Sequence, residues 1–218
     1  MATNKFEYFN IGEAYIKYNL DFTESNKMRI KEAYLKQVGF KAKDFFKDRE
    51  LIKISIEYEK GSLKAKIILW GTTIYFGIGA YSDFRSGVRE LVNDVKSFSS
   101  YVIEQMESEP SITPDLILNS QKRTGITGRV DEVYRRIDHL EKNINSLSNV
   151  QIQKELFEIK QEIASLAEVL PSHDTQQFIS SLSDQYKQNL PQPDNERTHY
   201  LYSRYALKPE DETNFIDE

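Results

Sequence analysis

Residues 122–129, with the sequence KRTGITGR, have the residue types and spacing that best suit the binding of a ligand. Two glycines and two threonines lie among three cations, at the start of a predicted helix. Backbone N–H groups at a helix N-terminus attract anions, and guanidinium groups bind phosphate. We therefore predict a phosphate site in this segment. Its candidate residues are Lys122, Arg123, Thr124, Thr127, Arg129 and Arg135.

The same basic segment has two other interpretations. In the first, residues 122–129 are a flexible connector, and Arg129 and Arg136 serve ion pairs between the helices that follow. In the second, the segment receives an acidic partner, which includes the acidic C-terminal part of this chain. The segment is not a Walker A loop, because the pattern G-x-x-x-x-G-K-[ST] is absent. We therefore place a nucleotide or nucleic-acid ligand second, behind a protein partner.

No other residues combine types and spacing that predict catalysis. The chain has no Cys, and its three His lack the spacing of metal ligands. Gly77 and Gly79 make half of a dinucleotide-binding fingerprint, but Ser82 stands where its third glycine belongs. A G-x-S-x-G nucleophile motif is also absent. We therefore predict that the protein is not an enzyme and that it uses no cofactor and no metal.

Arg85 and Arg89 lie four residues apart, on one face of a predicted helix that Asp83 is expected to cap. Their guanidinium groups could bind a carboxylate or a phosphate. Ion pairs with the neighbouring acids Glu90 or Asp94 explain them more simply. We therefore expect both arginines to be structural.

The composition of the whole chain excludes some classes of protein. The 218 residues are 39% hydrophobic and 12% aromatic, which is enough for a packed core and excludes wholesale disorder. The net charge of −5 argues against a general nucleic-acid binder. The N-terminus lacks a secretory-signal pattern, and the uncharged run 67–82 is shorter than the ~20 residues that span a membrane as a helix. We therefore expect a cytoplasmic protein, with membrane association through residues 67–82 as an alternative.

The first half of the chain predicts an α+β domain over residues 1–109. Its fold class is a small antiparallel sheet with flanking amphipathic helices. Apolar residues at helical spacing predict the helices, and alternation of apolar and polar residues predicts the strands. The strands are expected in 6–22, 51–59, 63–70 and 72–80, and the helices in 25–48, with its apolar stripe beginning at Met28, and from 84 to just before Pro110.

The second half predicts a helical unit over residues 129–190, which follows a linker and basic loop over 110–128. Two apolar heptad stripes indicate a coiled-coil-like antiparallel hairpin, and a third, shorter helix follows around residues 178–186. A capping box at Ser148, with Gln151 three residues later, would begin the second helix of the hairpin.

Charges along the two stripes favour the hairpin over its alternative, a long parallel coiled-coil dimer. In the antiparallel arrangement we expect Arg136 to meet Glu162, and Glu141 to meet Lys160.

These elements lead us to predict a non-enzymatic adaptor or accessory subunit, which assembles with itself or with a larger catalytic partner. Two helices cover each stripe on one side only, so a third helix or another molecule should complete the bundle. Residues 191–218 form a C-terminal arm, aromatic at 199–205, that would clasp a neighbour or cover the basic segment. The expected interface residues are Val130, Ile137, Ile144, Ile159, Ile163, Tyr200, Tyr202 and Tyr205.

Two alternatives to the adaptor stay open at this stage. The first is a sensor of a phosphate-bearing ligand, nucleotide or nucleic acid, that uses residues 122–136. The second is the membrane-associated protein. The abundance of Lys, Asn and Ile in the sequence is typical of a bacterial protein, so the expected assembly is a bacterial complex.

Overall fold

The computed structural model describes residues 8–38, 45–46, 52–61, 63–72 and 83–207. The fold is α+β, as the sequence predicts. The described residues form four strands and seven α-helices, with a short 3₁₀-helix at Pro114–Leu116. In chain order they are β1 (Phe9–Tyr18), α1 (Glu24–Gln37), β2 (Ile52–Glu59), β3 (Lys64–Gly71), α2 (Phe84–Glu107), β4 (Ile117–Arg123), α3 (Gly125–Asn143), α4 (Asn149–Val169), α5 (Ser172–Ser180), α6 (Asp184–Lys187) and α7 (Asn195–Tyr205).

The four strands form one antiparallel sheet in the order β2-β3-β1-β4. The predicted hairpin of β2 and β3 is confirmed, with Ile56 opposite Ile67. The expected strand at 72–80 falls on residues 73–80, which lie outside the described part of the chain. In the described residues β4 lies beside β1, in a segment that the sequence indicated as a linker. Because β4 is a polar and largely exposed edge strand, it carries no apolar alternation that would reveal it.

Helices α2 and α3 pack against β1, and their apolar faces make the centre of the core. The predicted α2 stripe is confirmed, because Val88, Val95 and Val102 are all fully buried. Asp83 caps this helix, since its carboxylate accepts a hydrogen bond from the Ser86 backbone N–H at 2.8 Å.

Helix α1 ends before the predicted helix does, and only part of the predicted apolar stripe is buried. It ends at Gln37, because Val38 has left helical geometry, whereas the sequence predicts one helix to about residue 48. Of that remainder, residues 39–44 and 47–48 lie outside the described part of the chain. Met28, which was expected in the apolar stripe, is 63% exposed. Val38 of the predicted stripe is buried and Leu35 packs against the core, and Ile30 and Tyr34 are fully buried with them.

Helices α3 and α4 form the antiparallel hairpin, and the Ser148–Gln151 capping box begins α4 as predicted. The predicted ion pairs are wrong by one heptad. Arg136 meets Glu155 at 2.8 Å, and Glu162 instead binds Arg129. The reason is that α3 ends at Asn143, so the turn precedes Ser148, whereas the sequence predicts a turn near Ser148 and Asn149; this shifts the register.

The expected contact between Glu141 and Lys160 is replaced by contacts to the segment that follows α4. The Tyr186 hydroxyl donates to Glu141 at 3.2 Å, and the Lys160 ammonium donates to the Gln188 carbonyl at 2.9 Å. The predicted third helix is divided into α5 and α6, whose Phe178 and Tyr186 are buried.

Four of the expected interface residues belong to the core of this chain instead. Val130, Ile137, Ile159 and Ile163 are each at most 4% exposed, because the stripes of α3 and α4 are covered within the chain. Of the expected hairpin positions, Ile144 stays accessible at 46% exposed. A partner would therefore meet other parts of the hairpin.

Helix α7 is the docked form of the C-terminal arm. Its Leu201 is fully buried, and its Tyr202 hydroxyl donates to the Glu168 carbonyl of α4 at 2.7 Å. After the helix, the Leu207 N–H donates to the Tyr8 carbonyl at 3.1 Å. The arm thus binds its own chain on α4 and beside β1.

Among the helices that the structure describes, none is both long and apolar enough to cross a membrane. Of the run 67–82, residues 67–71 belong to β3 in the interior of the sheet, and 73–82 lie outside the described residues.

Candidate anion-binding cleft

A cleft of about 480 Å³ opens where the end of β4 and the start of α3 meet β1 and α7. Its volume falls in the range of small-molecule sites, about 300–1,000 Å³. Four of the six predicted anion-site residues line it, together with two of the predicted arm tyrosines. These six are Lys122, Arg123, Thr124, Arg129, Tyr200 and Tyr205.

The turn from β4 into α3 lies directly against β1 because it contains Gly125. This residue has φ +54°, in the left-handed region that glycine tolerates best. A Cβ here would lie 2.7 Å from the Gly12 nitrogen and closer still to the Asn10 carbonyl oxygen. Only glycine therefore allows the start of α3 to approach β1 this closely.

The two threonines of the segment have different roles. Thr124 is the N-cap residue of α3 and lines the cleft, and its side chain makes no capping hydrogen bond. Thr127 is fully buried, and its hydroxyl lies within hydrogen-bond distance of two carbonyl oxygens, that of Thr124 at 2.6 Å and that of Ile11 at 2.9 Å. Its single proton is donated to one of them at a time. Thr127 therefore packs at the junction of α3 and β1 and, contrary to expectation, does not line the cleft.

Glu13 in β1 holds the floor of the cleft together. It is 1% exposed, and its Oε1 accepts from Arg123 Nη1 at 2.6 Å and from Arg204 Nη2 at 2.8 Å. Asn10 Nδ2 donates to the other oxygen at 3.1 Å. Charge-assisted bonds of this kind are the stronger ones in proteins. One buried carboxylate thus joins β4 and α7 to β1.

Glu162 of α4 holds Arg129 in a similar way. It is 4% exposed, and one of its oxygens accepts from Arg129 Nε at 3.1 Å and Nη2 at 2.5 Å. Arg197 of α7 lies 3.5 Å from the other oxygen. Arg129 is therefore fixed in place before any ligand arrives.

The cleft has an excess of positive charge. Its lining residues include four cations and two carboxylates, a net charge of +2. Lys122 is exposed and has no ion pair within the described residues. Arg135, the sixth candidate, does not line the cleft, because it pairs with Asp131 at 3.0 Å and Glu132 at 2.6 Å.

Helix α7 adds two aromatic rings to the cleft. Tyr200 and Tyr205 meet edge to face, with ring centroids 6.3 Å apart, and Tyr200 remains 52% exposed. Burial raises the pKa of Tyr205 to about 12, so its hydroxyl stays neutral at physiological pH.

Three important residues of the cleft were not found from the sequence: Asn10, Glu13 and Arg204. Glu13 had a usable signal, because an acid in the middle of an apolar strand is buried only when it is paired. Arg204 had none, since 191 residues separate it from Glu13.

Arg85 and Arg89 are structural, as expected, but their partner lies on another helix. Both bind Asp138 of α3, and the Arg89 Nη2 to Asp138 Oδ2 distance is 2.9 Å. The hydrogen bond from Arg85 is the main reason that the pKa of Asp138 lies below its usual value. These contacts join α2 to α3.

No family model matches the chain, and neither curated proteins nor solved structures gave a match. Within the described residues, no group of three or more His, Asp or Glu side chains is placed to hold a metal ion. The geometry of the cleft is therefore the observation from which a function can be argued.

Proposed function

We propose that this protein binds a small phosphate-bearing ligand in the cleft and acts as a ligand sensor. The observation that supports this proposal is that cations from separate parts of the chain converge on one cleft. Three cations that the local sequence singled out, Lys122, Arg123 and Arg129, lie around one cleft with Arg204, which comes from a distant helix. The cleft opens at the start of α3, where the helix dipole also favours an anion.

The arginines are held ready for a ligand. Glu13 and Glu162 fix Arg204 and Arg129, yet Nη1 of each guanidinium makes no hydrogen bond within the described residues. A phosphate could accept from these groups without breaking either ion pair. Preorganisation of this kind lowers the entropic cost of binding.

Titration calorimetry with pyrophosphate, at several salt concentrations, tests the proposal. We expect binding that weakens as salt rises, because exposed charges are screened. Lys122→Ala should weaken it several-fold. Lys142→Ala is the matched control, since Lys142 is an exposed cation in the last turn of α3. Equal affinities for the two variants and the wild type would contradict the proposal.

An adaptor role is the second candidate, and a separate observation favours it. Val150 and Phe157 lie seven residues apart on one face of α4 and are 79% and 54% exposed, and Ile144, in the turn before α4, is 46% exposed. Exposed apolar side chains in a row are typical of a protein interface.

The adaptor role is tested by the mass of the intact assembly, purified from its native cell. A stoichiometric second copy or larger subunit that is lost with Phe157→Ser would support the role. A bare monomer would count against it. Because Phe157 lies away from the cleft, this variant should leave pyrophosphate binding unchanged.

A further inference from the structure

We infer that the phosphate-bearing ligand is a nucleotide, which donates a hydrogen bond to Asn10 and stacks its base on Tyr200. This inference rests on the proposed phosphate-binding function and adds the class of ligand to it. Its starting point is an unsatisfied buried acceptor in the cleft.

Asn10 lines the cleft and is only 2% exposed. Its Nδ2 donates to Glu13 Oε2 at 3.1 Å, and its Oδ1 is buried without a hydrogen-bond donor among the residues that the structure describes. The orientation of the amide is fixed, because the flipped amide would place Oδ1 against the Glu13 carboxylate. A buried carbonyl oxygen without a donor is unfavourable and uncommon in folded proteins. A ligand that brings an N–H or O–H group to this oxygen would relieve the cost.

The phosphate itself does not supply that donor. A phosphate monoester is largely a dianion at neutral pH, and its oxygens then only accept hydrogen bonds. The cations around the cleft satisfy the phosphate, and Asn10 satisfies a different part of the ligand. The ligand therefore carries a hydroxyl or amino group in addition to its phosphate.

The two tyrosines add a third requirement. Tyr200 remains 52% exposed although it lines the cleft, and Tyr205 contacts it edge to face rather than covering it by stacking. A flat base can stack on an exposed tyrosine ring, whereas a plain sugar phosphate would leave it in water. Phosphate, hydrogen-bond donor and flat ring together describe a nucleotide.

The charge of the whole chain limits how much nucleic acid could bind. A net charge of −5 repels a long polyanion, and the +2 charge of the cleft is local. We therefore infer a free mononucleotide, or the single terminal nucleotide of a strand, rather than a continuous stretch of nucleic acid.

Titration calorimetry on the full chain tests the inference with inorganic phosphate, ribose 5-phosphate and the four nucleoside 5′-monophosphates. At least one nucleotide should bind about tenfold more tightly than ribose 5-phosphate, which is the contribution of one stacked base. Tyr200→Ala should remove this advantage and leave the affinity for inorganic phosphate unchanged. Tyr200 is exposed, so the variant keeps the fold.

Asn10→Ala should weaken nucleotide binding by about tenfold, because it removes the acceptor. Because Asn10 also donates to Glu13, which holds Arg123 and Arg204, the test is the ratio of the two affinities: nucleotide binding should fall about tenfold more than the binding of inorganic phosphate. Asn119→Ala is the matched control, since Asn119 is an exposed residue of β4 that does not line the cleft.

The outcomes separate the inference from the function on which it rests. If ribose 5-phosphate and all four nucleotides bind equally, the inference that the ligand is a nucleotide is wrong, and the proposed phosphate site stands. If no phosphate-bearing compound binds, both are wrong. A 5′-phosphorylated oligonucleotide that displaces the nucleotide would identify a strand end as the source. An oligonucleotide that binds while every mononucleotide fails would overturn the inference.

Discussion

The substitution Glu13→Gln tests whether one buried carboxylate joins β1, β4 and α7. Glu13 is 1% exposed and accepts hydrogen bonds from two arginines, on different elements. Glutamine keeps the size and one oxygen of the side chain but removes its charge. Arg123 and Arg204 would then face a neutral amide.

Two magnitudes bound the expected loss of stability. Each hydrogen bond to a charged group contributes about 1.5–3 kcal/mol, and breaking a buried ion pair costs about 3–5 kcal/mol. Arg123 and Arg204 keep 32% and 29% of their side chains exposed, so water solvates them in part. We therefore expect the free energy of unfolding to fall by about 2–3 kcal/mol. For a chain of this length, that lowers the Tm by about 4–12 °C.

Urea unfolding of the wild type and the variant measures this difference. Glu132→Gln is the matched control, because Glu132 lines the same cleft but is 41% exposed and pairs with the exposed Arg135. Its cost should stay below about 0.5 kcal/mol. A double-mutant cycle with Arg204→Ala should give a coupling energy of at least about 1 kcal/mol. If Glu13→Gln costs no more than Glu132→Gln, the structural role of Glu13 is refuted.

Three further predictions concern other contacts. Gly125→Ala forces a Cβ into the β1 backbone at φ +54°, so it should cost more than about 2 kcal/mol in urea unfolding; a neutral result would contradict the close approach. Thr127→Val removes the hydroxyl that lies between the Thr124 and Ile11 carbonyls and should cost about 1–2 kcal/mol by calorimetry, whereas an unchanged Tm would dismiss both bonds. Glu109 lies two residues after the end of α2, and its pKa is lowered to about 2. The largest cause is the hydrogen bond that its carboxylate accepts from the side-chain amide of Gln37. Because the folded pKa lies below the unfolded value, this stabilisation is complete above about pH 4.3 and is lost as the pH falls towards 2. The stability difference between wild type and Glu109→Gln should therefore shrink over that range, and a constant difference would oppose it.

Helix α2 and the start of α4 were predictable because their signals are local. The spacing of Val88, Val95 and Val102 defines one buried face of α2, and the Ser148 capping box marks the start of α4. The register between α3 and α4 was not predictable in the same way. It depends on where α3 ends, and nothing in the sequence marks Asn143 as its last residue.

The strand β4 and the cleft show a second limit to what could be predicted from the sequence. An edge strand with polar residues on both faces lacks the alternation by which strands are recognised, so the sequence predicts a linker and basic loop over 110–128 where β4 lies. The cations at the start of α3 were found because they are adjacent in sequence. The contribution of α7 could not be found, since it depends on where a distant segment docks.

The docking of α7 decides between two roles for the C-terminal arm. As a cover over the basic segment, it would compete with the ligand, and loosening it would strengthen binding. The second role is to form part of the binding site, and the structure favours it, because α7 supplies Arg204, Tyr200 and Tyr205 to the lining of the cleft. Leu201→Ala tests this, since removing a fully buried leucine side chain costs about 2–5 kcal/mol and would loosen α7. We expect weaker pyrophosphate binding in calorimetry, because the charge of Arg204 leaves the cleft with the helix. Stronger binding would show that the arm acts as a cover, and that the positive charge of the cleft resides in β4 and α3.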